Sequence, residues 1–304
     1  MPVFGASFLD RAEKQSYHSP HGKGDLAAIP ATMGMADALR TIGMTDMTLL
    51  TLLNRIAAAS SIDDAWGIAT DHFATLGFQR VNYGFTRFRH LKTIGDPDDA
   101  LFLSTCEPEY VKRYFRGGFY AKTPVFRWAE RSAGACTWTW VKEAFEAGKL
   151  SAEEAEAVRH NASMGVTAGI SVSFPEVSLR SKGALGLIAD VGLSHADVDR
   201  IFAARQEEIL AVANMMHLTI VHLPQLSRHR ALSPRQREAL EWVADGKTTQ
   251  DVALLMGVSP AMVEKHLRLA REALAVETTA QAVAKGALLN MIFQRLPDAA
   301  HAAR

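Results

Sequence analysis

The chain has 304 residues, of which 48% are hydrophobic, and its 33 basic side chains are balanced by 33 acidic ones. This length allows more than one hydrophobic core, so we expect two domains. The zero net charge excludes a protein whose whole surface attracts nucleic acid or membrane. The sequence contains no run of 18 apolar residues, so we predict no membrane span. Two cysteines without a signal-peptide pattern predict a cytoplasmic protein with reduced thiols.

Residues 46–221 alternate predicted strands and helices. Branched and aromatic residues mixed with polar ones predict strands at 78–88, 101–105, 167–174 and 183–190. Helical periodicity begins at Met47 and after Ser61, and recurs at 108–115, 123–132, within 151–163 and from Ala196 to about Val221. We therefore predict an α/β domain built as an α/β/α sandwich with a mostly antiparallel sheet. The polar residues 1–45 are predicted to be a flexible extension.

The remainder of the chain has the pattern of a second, all-α domain. Residues 222–230 contain a proline and a basic cluster and are predicted to be a linker, followed by a domain at 231–293 and a tail at 294–304. Three helix starts follow closely, each with its own capping chemistry: Ser233 with Gln236, Thr248 with Asp251, and Ser259 before Pro260. Gly257 suits the end of the second helix, which gives two short helices joined by a tight turn. This is the helix-turn-helix arrangement.

The third of these helices has two unlike faces. Its apolar face is formed by Val263, Leu267, Ala270 and Leu274. Lys265 and Arg268 point the opposite way, and His266 and Arg271 flank them. Residues 227–304 carry 11 basic and 8 acidic side chains, so the charge has the sign that DNA requires. A solvated helix face has the same pattern, so the charge alone does not decide between the two.

The motifs L-S-P-R-Q-R-E-A-L, V-A-x-x-x-G-V-S and V-E-K-H-L resemble the four-helix DNA-binding domain of LuxR-type regulators, from Leu232 to Met291. The resemblance implies a homodimer that binds double-stranded DNA at a pseudo-palindromic site, with the third helix in the major groove. Lys265 and Arg268 would lie near base edges. The other candidate DNA-contacting residues are Lys247, Thr248, Ser259, His266 and Arg271. Glu264 either accepts from a cytosine or holds a basic neighbour, and both alternatives stay open.

The first domain resembles, more faintly, the autoinducer-binding domain of the same regulators. Tyr114, Pro124, Trp138 and Ser171 match the pattern of members that bind acyl-homoserine lactones. Tyr110 stands where the family has Trp, which donates to the lactone carbonyl, and Thr123 stands where it has Asp, which accepts from the ligand's amide N–H. A Tyr hydroxyl still donates, but Thr accepts only through a neutral oxygen. The ligand implied is therefore a small molecule other than a simple acyl-homoserine lactone.

Cys106 completes the candidate ligand-binding residues, because this soft side chain stands where lactone-binding relatives often carry Tyr. Two alternatives remain. In a ligand-independent regulator the aromatic residues are core and Thr123 is only a helix cap. A hydrolytic enzyme is the other, but the sequence has no Gly-x-Ser-x-Gly, His-Glu-x-x-His, Cys-x-x-Cys, P-loop or Gly-x-Gly-x-x-Gly motif. We therefore predict a non-enzymatic protein with no catalytic residues, metal or cofactor.

Overall fold

The computed structural model describes residues 48–89, 94–176, 178–224 and 231–293. The predicted extension at 1–45, most of the predicted linker and the predicted tail at 294–304 lie outside these described residues. Within the described residues, no helix is long and apolar enough to cross a membrane.

The N-terminal domain interleaves helices and strands, as predicted. In chain order these are α1 (48–57), α2 (Ile62–Thr75), β1 (Arg80–Thr86), β2 (Leu101–Ser104), α3 (Pro108–Val111), α4 (Pro124–Arg131), β3 (Gly134–Thr137), α5 (Thr139–Glu146), α6 (Ala152–Ser163), β4 (Gly169–Ser173), β5 (Lys182–Ile188) and α7 (His195–His222). Short 3₁₀ turns lie at Pro97–Asp99 and Phe119–Lys122, and a π-helical turn follows α3 at Lys112–Arg116. Strand β3 and helix α5 were not predicted.

The five strands form one sheet in the order β2-β1-β5-β4-β3, and each neighbouring pair is antiparallel. The four predicted strands correspond to β1, β2, β4 and β5 of this sheet. The register aligns one residue from each strand in a single row: Ser104, Asn82, Gly186, Ser171 and Cys136. Helices lie on both faces of this sheet, which confirms the predicted sandwich.

The two faces of the sheet carry side chains of different size. Because side chains alternate along a strand, Val81, Tyr83 and Phe85 share one face of β1, where they form the main core with α2 and α7. The opposite face of β1 and β5 carries small or polar side chains, namely Asn82, Gly84, Thr86, Ala184 and Gly186. Helices α3–α6 cover that face, and the small side chains leave space beneath them.

Polar contacts fix these covering helices. The Ser173 hydroxyl lies within hydrogen-bond distance of the carbonyl oxygens of Ala129 (2.9 Å) and Ser132 (2.6 Å), between which its one proton is shared, and this contact holds the end of α4 on the sheet. The Arg127 guanidinium on α4 pairs with the Glu154 carboxylate on α6 at 2.7 Å. A Cβ atom at Gly169 would lie 2.3 Å from the Leu187 carbonyl oxygen, so only glycine fits there.

The C-terminal domain contains α8 (Pro234–Ala244), α9 (Thr249–Met256), α10 (Pro260–Leu274) and α11 (Thr279–Leu288). The predicted capping boxes at Ser233 and Thr248 and the predicted cap at Ser259 are confirmed. Gly257 ends α9 with φ of 66°, a left-handed conformation that glycine adopts without strain. The four predicted apolar residues of α10 are buried in the core of this domain.

Polar contacts connect the two domains. The Lys285 ammonium on α11 lies 2.7 Å from the Asp99 carboxylate, and both side chains are largely buried. The Asn290 amide donates to the backbone carbonyl of Val221 at 2.8 Å, near the end of α7. Phe88 also packs against the core of the C-terminal domain.

We predict that the fragment 227–304 folds by itself into four helices. Its buried core residues all come from its own helices and loops, and each of its four helices has a side-chain N-cap. Circular dichroism should show a helical fragment with a cooperative thermal transition. In a matched fragment, Leu240→Ala should cost about 2–5 kcal/mol by opening a cavity in this core. A largely unfolded wild-type fragment would contradict the prediction.

Candidate functional site

A cavity of about 150 Å³ lies between the small-residue face of the sheet and the helices that cover it. Its floor consists of Asn82, Gly84, Thr86, Ser171, Lys182, Ala184, Gly186 and Ile188. Its walls and roof include Phe102, Tyr110, Tyr114, Phe115, Tyr120, Thr123, Val125, Phe126, Trp138, Val141 and Asn161. Five of the six predicted ligand-binding residues are therefore brought together in one cavity.

Tyr110 and Tyr114 stack on each other, with ring centroids 5.2 Å apart and an interplanar angle of 15°. Burial raises the pKa of Tyr110 and raises the pKa of Tyr114 to about 12. Both phenols are therefore neutral near pH 7 and keep an O–H donor. The Asn82 amide lies 3.5 Å from the Tyr110 oxygen, which is a long contact.

The Thr123 hydroxyl is engaged with the protein. It donates to the Tyr120 carbonyl oxygen at 2.7 Å and accepts from the Phe126 backbone N–H at 3.3 Å, so it caps α4. Thr123 is also only 2% exposed. Because its oxygen already accepts from a backbone N–H and is almost fully buried, it is a poor acceptor for a ligand.

Trp138 and Ser171 form a second polar pair. The indole N–H of Trp138 donates to the Ser171 hydroxyl oxygen at 2.9 Å. A hydroxyl that accepts a bond still has its own proton to donate. This pair therefore presents Ser171 as a neutral donor on the cavity floor.

Cys106 lies beside the cavity and is absent from its lining. It packs near Tyr110, and its sulfur lies 3.6 Å from the Asn82 side-chain oxygen. Burial raises the pKa of its thiol, which keeps the sulfur protonated. The prediction that Cys106 contacts a ligand directly has no support from this placement.

Sequence analysis missed several lining residues. Asn82, Arg89 and Lys182 add hydrogen-bonding and charged groups. The Asn161 side-chain oxygen is buried and has no hydrogen-bond partner among the residues that the structure describes. The signal for Asn82 is the run Asn-x-Gly-x-Thr in β1, which places small or polar residues on one strand face. The sequence holds no comparable signal for Arg89, because it follows the strand.

The predicted DNA-contacting residues lie around α10. Lys265 and Arg268 are exposed, on the side of α10 opposite its buried residues. Arg268 pairs with Glu272 one turn further along the helix. Lys247, Thr248 and Ser259 are exposed at or beside the N-termini of α9 and α10, and His266 is partly exposed.

Two polar side chains of α10 form hydrogen bonds with neighbouring helices. The Arg271 guanidinium donates to the Thr279 hydroxyl at 2.9 Å, at the start of α11. The Glu264 carboxylate accepts from the Thr249 hydroxyl at 3.0 Å, at the start of α9. In this structure Glu264 therefore links α10 to the start of α9 by a surface hydrogen bond, a contact that neither sequence-based alternative included.

Comparison with known proteins identifies both domains. Residues 61–220 match the Autoinducer binding domain family, and residues 226–274 match Sigma-70, region 4. The chain is 26% identical over 225 residues to the transcriptional activator protein SolR of Ralstonia nicotianae, covering 71% of this chain and 87% of SolR. It is 25% identical over 206 residues to VjbR of Brucella abortus, an HTH-type quorum sensing-dependent transcriptional regulator, covering 67% of this chain and 77% of VjbR.

A crystal structure of Escherichia coli SdiA aligns with a TM-score of 0.47 and 16% identity, covering 82% of this chain and 100% of that chain. The Autoinducer binding domain match alone spans more than half of the chain. The chain therefore belongs to the LuxR-type transcription regulators, in which an autoinducer-binding domain precedes a DNA-binding helix-turn-helix.

Proposed function

We propose that this protein is a cytoplasmic homodimer that binds a pseudo-palindromic DNA site through α10. A small molecule other than a simple acyl-homoserine lactone occupies the cavity and sets the affinity for DNA. The observation that carries this proposal is the state of Thr123, whose buried hydroxyl donates to the Tyr120 carbonyl oxygen and accepts from the Phe126 backbone N–H.

The exposed cations support the DNA-binding part of the proposal. Lys265 and Arg268 project from α10 where no other part of its domain covers them. The backbone N–H groups at the N-termini of α9 and α10 are suited to phosphate oxygens, and Lys247 and Ser259 lie beside them. Base contacts from the helix and phosphate contacts from its surroundings would give sequence preference and affinity respectively.

The cavity supports control by a small molecule. Its lining is mainly aromatic and aliphatic with a few polar groups, which is the usual composition of a ligand pocket. The unpartnered Asn161 oxygen is explained most simply by a ligand that donates to it. VjbR, one of the relatives, is described as quorum sensing-dependent, and a diffusible signal is the corresponding ligand here.

Homodimerisation is supported by the surface of α7. Leu218 on this helix is 53% exposed, so a large apolar side chain contacts solvent in the single chain. Burying such surface against a second subunit would stabilise a dimer by about 25 cal/mol for each Å² of apolar area. A two-fold dimer requires half-sites about 10 bp apart on the DNA.

A ligand-independent regulator is the main alternative, and thermal unfolding separates the two. A ligand that binds only the folded state raises the melting temperature by mass action. Protein purified from its native host should therefore melt at a higher temperature than the same protein after denaturation, extraction and refolding. Equal melting temperatures, together with no small molecule in native mass spectrometry, would favour the ligand-independent alternative.

We predict that Arg268→Ala weakens binding to a selected DNA site by about 1–3 kcal/mol and relaxes its base preference. Lys247→Ala should weaken binding to all sequences alike, because a phosphate contact carries no sequence information. Fluorescence anisotropy with a duplex selected from a random library, and with a random duplex, measures both effects. Lys142→Ala, on the exposed face of α5, is the matched control and should leave both affinities unchanged. Equal losses on both duplexes for Arg268→Ala would show that another residue reads the bases.

We also predict that Thr123→Asp tightens the binding of N-octanoyl-homoserine lactone. An Asp at this position still caps α4 by accepting from the Phe126 backbone N–H, and it loses only the bond that Thr123 donates to the Tyr120 carbonyl. Its second oxygen can accept from the ligand's amide N–H. Removing a buried unsatisfied N–H should improve the binding free energy by about 1–3 kcal/mol. Titration calorimetry on both proteins measures the difference.

Thr123→Asn is the control for charge, because it also caps the helix but carries a neutral amide. It should improve lactone binding less than Asp does, since bonds to an ionised acceptor are about twice as strong. Tight lactone binding by the wild type that Thr123→Asp weakens would refute the role assigned to this residue.

A further inference from the structure

The cavity has two polar ends that are separated along the strands. At one end, Asn82 and Ser171 lie in the row of residues that crosses the sheet. At the other end, Thr86 pairs with Lys182. Asn82 and Thr86 are four positions apart on β1, which corresponds to about 13 Å at roughly 3.3 Å per residue. Apolar and aromatic side chains, among them Phe102 and Phe126, line the space around the floor.

The second end carries two cations. Among the described residues that line the cavity, the charged ones are Arg89, Lys182 and Glu130. Two positive charges thus face one carboxylate. The Arg89 backbone N–H donates to the Arg180 carbonyl at 2.8 Å, which holds Arg89 next to the start of β5.

Neither cation is saturated by the contacts it makes. The Lys182 ammonium donates to the carbonyl oxygens of Ser132 (3.0 Å) and Phe174 (3.2 Å), and an ammonium has three N–H donors. The Arg89 guanidinium lies 3.4 Å from the Glu130 carbonyl oxygen and 3.8 Å from its carboxylate, and the second distance is too long for a hydrogen bond. A guanidinium also presents a planar pair of donors that matches a carboxylate.

Burial makes this end of the cavity favourable for an anion. Burial lowers the pKa of Lys182, and the neighbouring Arg89 lowers it further, whereas Glu176 opposes the shift. The Glu176 carboxylate is not part of the cavity lining and also lies 3.3 Å from a ring nitrogen of His217. A ligand carboxylate placed between Arg89 and Lys182 would relieve the repulsion between the two cations.

We propose that the cavity takes an elongated ligand with an ionised carboxylate at the Arg89–Lys182 end and a neutral hydrogen-bonding group at the Asn82–Ser171 end. This inference rests on the proposed function, since it names the chemical class of the controlling small molecule. The ligand is an amphipathic carboxylic acid with an apolar chain or ring between its two polar groups. Lys182 and Arg89 determine its specificity.

The test compares two probes that differ in one charge, sebacic acid monoamide and its methyl ester, by titration calorimetry on the full-length protein. The acid should bind at least about tenfold more tightly than the ester, because charge-assisted hydrogen bonds are about twice as strong as neutral ones. Lys182→Met and Arg89→Met should each remove most of this preference by weakening the acid alone. Lys142→Met, which removes an exposed lysine of α5, should leave it unchanged.

Two variants are used because one of them could also destabilise the fold: Lys182 donates to the carbonyl of Ser132, whereas the contacts of the Arg89 side chain with other described residues are long. If Lys182→Met lowers the melting temperature of the free protein, Arg89→Met decides the result. An ester that binds as tightly as the acid, or variants that weaken both probes equally, would overturn the inference and leave small-molecule control intact. The absence of binding by the acid would overturn it as well.

The failure of the proposed function has a different signature. In that case neither probe nor N-octanoyl-homoserine lactone would raise the melting temperature, and DNA binding would be the same with and without each of them. Binding of the lactone without binding of the acid would refute only the carboxylate inference.

Discussion

The alternation of side chains along β1 and β5 places large apolar residues on one face of the sheet and small ones on the other. Tyr83 and Leu185 complete a close-packed core, whereas Gly84 and Gly186 leave room on the far side. Ser173 and the Arg127–Glu154 pair hold α4 in place over the sheet, and the gap lies beneath the covering helices. The cavity is therefore a consequence of strand composition, and its polar ends follow from the register.

Local chemistry explains which elements the sequence predicted. The helix starts at Ser233 and Thr248 were predicted because capping depends on residues only three positions apart. Strand β3 was missed because its four residues, beginning at Gly134, form an edge strand whose pairing partner Ser173 is far away in sequence. The same reasoning separates Tyr110 and Thr123, which family spacing identified, from Lys182, whose approach to Arg89 depends on the fold.

Thr123 shows what changes when a hydroxyl stands where the family pattern has a carboxylate. The hydroxyl keeps the capping role that a carboxylate at this position would also fill, but its single oxygen is occupied by the protein. The neutral pair of Trp138 and Ser171 remains available on the floor of the cavity. The groups available to bind a ligand are therefore Ser171 and the charged end of the cavity beside Lys182, and not Thr123.

Residues 94–100, which lie between β1 and β2, contact both the cavity and the C-terminal domain. Ile94 and Ala100 line the cavity, and Asp99 between them holds Lys285 of α11. Moving this wall away from α11 would separate the Asp99 carboxylate from the Lys285 ammonium, and both side chains are largely buried. Because α11 packs on α10, contacts through Asp99 and Lys285 connect the wall of the cavity to the helix that carries Arg268.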